Sequence, residues 1–85
     1  MRYSIELAPA VSKAMRKLSR TDHARVLTRI KSLADNPRPE GVVKLSGSED
    51  TWRVRVGSLR IVYTIRDDRL IVRVVQVAHR REVYR

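Results

Sequence analysis

Apolar and polar residues alternate with a period of two in several stretches of this chain, which is the signature of strands with one face buried. From Arg2 to Leu7, Tyr3, Ile5 and Leu7 share one side, and Arg2, Ser4 and Glu6 the other. The stretch TWRVRVGSLRIVYT, Thr51 to Thr64, carries the clearest pattern. Trp52, Val54 and Val56 alternate with Arg53 and Arg55. Gly57-Ser58 then supplies a two-residue turn with glycine first, as a type II′ hairpin demands. Leu59, Ile61, Tyr63 and Ile65 follow on one side of the second strand, with Arg60 opposite. Leu70 to Ala78, LIVRVVQVA, is an almost continuous apolar run broken by Arg73 and Gln76. Such a run predicts a strand buried on both faces at the centre of a sheet.

Two stretches repeat at helical spacing instead. Val11, Ala14, Met15 and Leu18 predict an amphipathic helix from about Pro9 to Leu18, with proline tolerated in its first turn. Val26, Leu27, Ile30, Leu33 and Ala34 predict a second from about Asp22 to Ala34, and Ser19 or Thr21 is placed to cap it. Arg25, Arg29, Lys31 and Ser32 lie off that stripe, where charge reads first as a solvated face. The short link predicts an antiparallel helix pair. Asn36-Pro37-Arg38-Pro39-Glu40-Gly41 ends the second helix, since proline disfavours helical geometry before it. Val42 to Gly47 is a short extended segment, Ser48-Glu49-Asp50 a polar loop, and Arg66 to Arg69 a turn. The order β-α-α-β-β-β predicts an α+β fold: an N-terminal strand, then a helix hairpin packed on one face of a mainly antiparallel four-stranded sheet. Residues 1–85 are expected to form one domain.

Charge sharpens this outline. Nineteen Lys and Arg stand against nine Asp and Glu, a formal net charge of +10. A domain this basic is expected to bind a polyanion, nucleic acid first and an acidic protein second. Phenylalanine is absent and aromatics make up 5%, which argues against a sheet that stacks many bases. The chain has no cysteine, which removes thiolate chemistry and fits a reducing cytosol. No apolar run approaches the roughly 20 residues that span a bilayer, and MRYSIELAP lacks the apolar run of a signal peptide. A cytoplasmic protein without a membrane partner is therefore expected.

Candidate chemistry centres on arginine. The carboxylates are sparse and sit mostly in turns, so neither a metal site nor a cofactor is expected. Arg53, Arg55 and Arg60 fall on neighbouring strands. A guanidinium presents a planar fork of donors to phosphate and stays charged, so it can stabilise a phosphoryl transition state. It is a poor proton donor, with a pKa above about 12. Tyr84 and His79 are the local candidates for moving a proton, and each could equally pack or end a strand. Lys44 could join the basic face or be solvated. RNA could supply its own nucleophile, a 2′-hydroxyl, with no metal.

The segments NPRPEGVVKLSG, WRVRVGSLRIVYTI and VVQVAHRREVYR resemble the RelE/ParE superfamily of toxins, and the similarity runs from Arg2 to Arg85. The resemblance implies a type II toxin that cleaves messenger RNA in the ribosomal A site, paired with an acidic antitoxin. Carried over by position, it implies basic catalytic residues at Arg53, Arg55, Arg60 and Arg80, and a tyrosine at Tyr84 that helps activate the 2′-hydroxyl. Arg53 and Arg55 stand where the RelE-type pattern has lysines. The segment before Tyr84 is shorter than in that pattern, so Arg81 is an alternative to Arg80, and His79 remains a candidate. Two further readings follow: a ParE-like toxin that inhibits DNA gyrase without cleaving RNA, and a nucleic-acid-binding module without catalysis.

Overall fold

The computed structural model describes residues 2–47 and 50–79. Along them run β1 (Ser4–Leu7), α1 (Pro9–Arg16), α2 (Arg20–Leu33), β2 (Val43–Lys44), β3 (Thr51–Val56), β4 (Leu59–Arg66) and β5 (Ile71–His79). The strands form one mixed sheet in the order β1-β5-β4-β3-β2. β1 lies parallel to β5, and the other neighbours are antiparallel. The α+β fold expected from the element order is present. Pro9 occupies the first turn of α1. The Ser19 hydroxyl caps α2 by accepting from the Asp22 N–H at 3.1 Å, which satisfies one of the donors a helix start leaves open.

The core lies between the helices and one face of the sheet. Val11 and Met15 from α1 and Val26, Ile30 and Leu33 from α2 pack over Val54, Leu59, Ile61, Tyr63, Ile65, Val72, Val74 and Val77. The period-two pattern decides which face that is. Trp52 pairs with Tyr63, Val54 with Ile61 and Val56 with Leu59, so these side chains share the helix side. The Tyr63 hydroxyl, buried beneath the proline loop, donates to the Pro37 carbonyl at 2.7 Å. Burial pushes that phenol up to about 12, so it stays neutral and serves as a structural donor.

Two details depart from the sequence pattern. The sheet has five strands rather than four, because Val43 and Lys44 pair with Arg53 and Trp52. Two residues are too few for periodicity to register. The central strand is β4, not β5. β4 is buried at every position from Leu59 to Tyr63, whereas β5 alternates. The doubled valine explains the apolar run in β5. Tyr63 pairs with Val74 and Val62 with Gln76, so Val75 is an extra residue in a bulge. The bulge shifts the alternation by one and keeps Val77 on the core side.

Candidate functional site

The face of the sheet away from the helices gathers Arg53, Arg55 and Arg60, of which Arg55 is the exposed one. Arg55 on β3 sits directly across from Arg60 on β4, and Arg53 from Val62. Gly57 has φ +58, a left-handed conformation that only glycine takes without strain, and Ser58 does not share it. That turn fixes the register and hence the arginine pairing. Like charges directly opposed on a sheet repel, a repulsion that a bound anion would relieve. Arg60 is 2% exposed and Val62 7%. Arg53 is half-buried and Arg55 exposed. Nη1 of Arg53 is buried and has no hydrogen-bond acceptor among the described residues. Leaving such a donor unmet is unfavourable. Charges next to buried surface attract an anion more strongly than charges in open water. Rigid strands, rather than loops, hold the guanidiniums in place.

A second charged cluster lies at the turn after β4 and is built differently. Arg38 donates to both Asp67 carboxylate oxygens, at 3.1 Å and 2.8 Å. The Tyr3 hydroxyl donates to Asp67 at 2.6 Å. These donors hold the Asp67 carboxyl down at about 2. The same contact raises the Tyr3 phenol and the Arg38 guanidinium. The Arg38 guanidinium also lies 5.4 Å from the centroid of the Trp52 ring, within reach of a cation–π attraction. This clasp ties the chain start, the proline loop and the β4–β5 turn together. Nothing local in the sequence announces it, because Tyr3 and Asp67 stand 64 positions apart.

The predicted site residues divide accordingly. Arg53, Arg55 and Arg60 come together. Lys44 and His79 do not join them. Lys44 pairs with Trp52 and so faces the helix side, its Nζ 5.9 Å from the Trp52 ring. His79 pairs with Leu59 and lines a groove with Lys13 of α1 and Lys17 at that helix's C-cap, on the side away from the arginines. Arg80, Arg81 and Tyr84 lie outside the described residues. Among the described residues no three His, Asp or Glu gather as metal ligands, and no helix is long and apolar enough to cross a membrane.

A family model described as the ParE toxin of the type II toxin–antitoxin system parDE matches residues 5–84. A curated relative from Methanocaldococcus jannaschii, named for the toxin RelE1, is 28% identical over the whole of this chain and 98% of its own length. The archaeal RelE–RelB complex from Pyrococcus horikoshii superposes with a TM-score of 0.84 at 26% identity, covering 94% of this chain and 97% of that one. The intact Escherichia coli RelBE toxin–antitoxin complex gives 0.80 at 26%, covering 91% and 95%. With the fold, the hairpin and its arginines in place, the chain belongs to the RelE/ParE superfamily of type II toxin–antitoxin toxins.

Proposed function

We propose that this toxin is a ribosome-dependent endoribonuclease that cleaves messenger RNA in the A site without a metal ion. The observation that carries the reading is the arginine face, with Arg55 and Arg60 opposed and a buried donor of Arg53 unmet. In the reaction the 2′-oxygen of the substrate attacks the adjacent phosphorus and the bond to the 5′-oxygen breaks. The products are a 2′,3′-cyclic phosphate and a 5′-hydroxyl. Arg53, Arg55 and Arg60 bind the phosphate and stabilise the charge that builds on its oxygens. They cannot exchange protons, so another group must take the 2′-hydroxyl proton and return one to the leaving oxygen. We assign that exchange to Tyr84, because positive charge beside a phenol would lower its pKa, and a phosphate contact to Arg80. The RelB partners in the complexes above support an antitoxin partner; in this reading it is acidic, covers the arginine face and, by binding the folded state, stabilises it.

Primer extension on messenger RNA bound to programmed ribosomes tests the reading. New stops within the A-site codon are expected from the wild type and not from Tyr84→Phe. Unchanged cleavage by Tyr84→Phe would remove the role of Tyr84, and intact RNA would remove the nuclease reading. The family model is described for ParE, which favours gyrase inhibition as the second reading. Loss of supercoiling activity at toxic doses, with messenger RNA intact, would establish it.

A further inference from the structure

We infer that the substrate strand flanking the cleaved bond leaves the arginine face around the free edge of β3 and runs into a groove on α2, where Arg25 and Arg29 hold its phosphates. The inference rests on the nuclease reading and extends its binding surface. A groove of about 470 Å³ opens between α2 and β3, rimmed by Arg25, Arg29 and Arg55 over Ala24, Thr28 and Val56. β2 pairs only with Trp52 and Arg53, so nothing of β2 covers β3 from Val54 to Val56. Arg55 belongs to both surfaces: it opposes Arg60 on the arginine face and lines the groove. Arg25 bridges them at the hairpin tip, its Nη1 3.6 Å from where a side chain on Gly57 would begin. The result is one row of guanidiniums passing from Arg55 to Arg25 and Arg29, with the buried Arg60 across the strand from Arg55.

Charge supports the same occupant. Arg25 and Arg29 are one helical turn apart on α2, a like-charge spacing that weakens an isolated helix. The groove contains no acid. None of Arg25, Arg29 and Arg55 is ion-paired among the described residues, whereas Arg2, Arg38, Arg66 and Arg73 each meet a carboxylate. A solvated face needs no such continuity with a phosphate site, and a polyanion does. An acidic peptide added as a strand fits less well. The free edge runs only from Val54 to Val56, shorter than the five or six residues of a usual strand.

The test uses a short single-stranded RNA made of 2′-O-methyl nucleotides, which cannot be cleaved by 2′-attack. Its affinity for the full chain is followed by fluorescence anisotropy between about 50 and 200 mM salt. Arg25→Ala/Arg29→Ala is expected to weaken binding and to flatten the slope of log K against log salt by about 1.4, two contacts at about 0.7 each. Arg25→Lys/Arg29→Lys is expected to keep the slope, which separates charge from folding. In ribosomal cleavage the alanine pair should raise KM and leave kcat unchanged. An unchanged slope overturns the inference. If the naked-RNA slope is unchanged but KM rises, the groove belongs to ribosomal RNA and the inference also falls. The same holds if the pair loses only antitoxin affinity. A wild type that never cleaves, with the slope still flattened in the variant, removes the nuclease reading while the RNA contact stands.

Discussion

Two clusters of charge on one sheet show how differently arginine can be used. At the turn after β4, Arg38 has both of its facing donors on Asp67, and Tyr3 completes the carboxylate. At the hairpin tip, Arg55 faces another arginine, and Nη1 of Arg53 lacks an acceptor. The first cluster is complete within the protein. It stabilises the fold and offers a ligand nothing. The second leaves Nη1 of Arg53 without an acceptor among the described residues and sets Arg55 across from a like charge, which is the arrangement an anion would relieve. The lesson is that charge balance, more than charge count, separates a structural cation from a binding one.

The largest effect expected on this comparison comes from Arg55→Ala. Loss of one fixed donor to a developing oxyanion typically costs 10²–10³ in rate. We expect about a 100-fold fall in single-turnover cleavage with no loss in melting temperature, because Arg55 is exposed and its cross-strand neighbour is a like charge. A variant that melts early would place Arg55 with the structural cations. Tyr63→Phe is next, and should do the opposite. It strands the Pro37 carbonyl in the interior and should cost about 1–3 kcal/mol in urea unfolding, with cleavage by the folded fraction unchanged.

Gly57→Ala should cost about 1 kcal/mol through its positive φ alone, since a Cβ there meets the Arg25 side chain at ordinary contact distance. If the turn sets the arginine register, cleavage falls as well. The smallest effect is on acid stability. The Asp67 carboxyl is held at about 2, below its ordinary 3.8. Its contribution is therefore complete above about 4 and fades as pH falls toward about 2. Asp67→Asn should be less stable at neutral pH, and the gap from wild type should close across that window. A constant gap would show that packing, not ionisation, accounts for the residue.

Much of this was legible in the order of residues. Alternation in TWRVRVGSLRIVYT placed the three arginines on one face, because a strand leaves no other choice once Trp52, Val54 and Val56 are buried. The Ser19 cap was readable for a similar local reason. What escaped was long-range or too short for a pattern. The two-residue β2 leaves no periodicity, and the doubled valine of β5 reads as burial when it is a bulge. The clasp joins three loops that only the folded chain brings together. Lys44 and His79 looked like partners of the arginines, yet their strand pairing sends both to the helix side. The groove beside Arg25 and Arg29 left no signal, because it depends on where β2 stops.

The chemistry of the cut ends tests the central claim most directly. Messenger RNA recovered from toxin-treated ribosomes can be examined by mass spectrometry at each new 3′ end. An arginine face that assists 2′-attack predicts 2′,3′-cyclic phosphate ends from the wild type and their near disappearance in Arg53→Ala/Arg55→Ala. Ends carrying a 3′-hydroxyl, or equal yields of cyclic phosphate from the double variant, would contradict it.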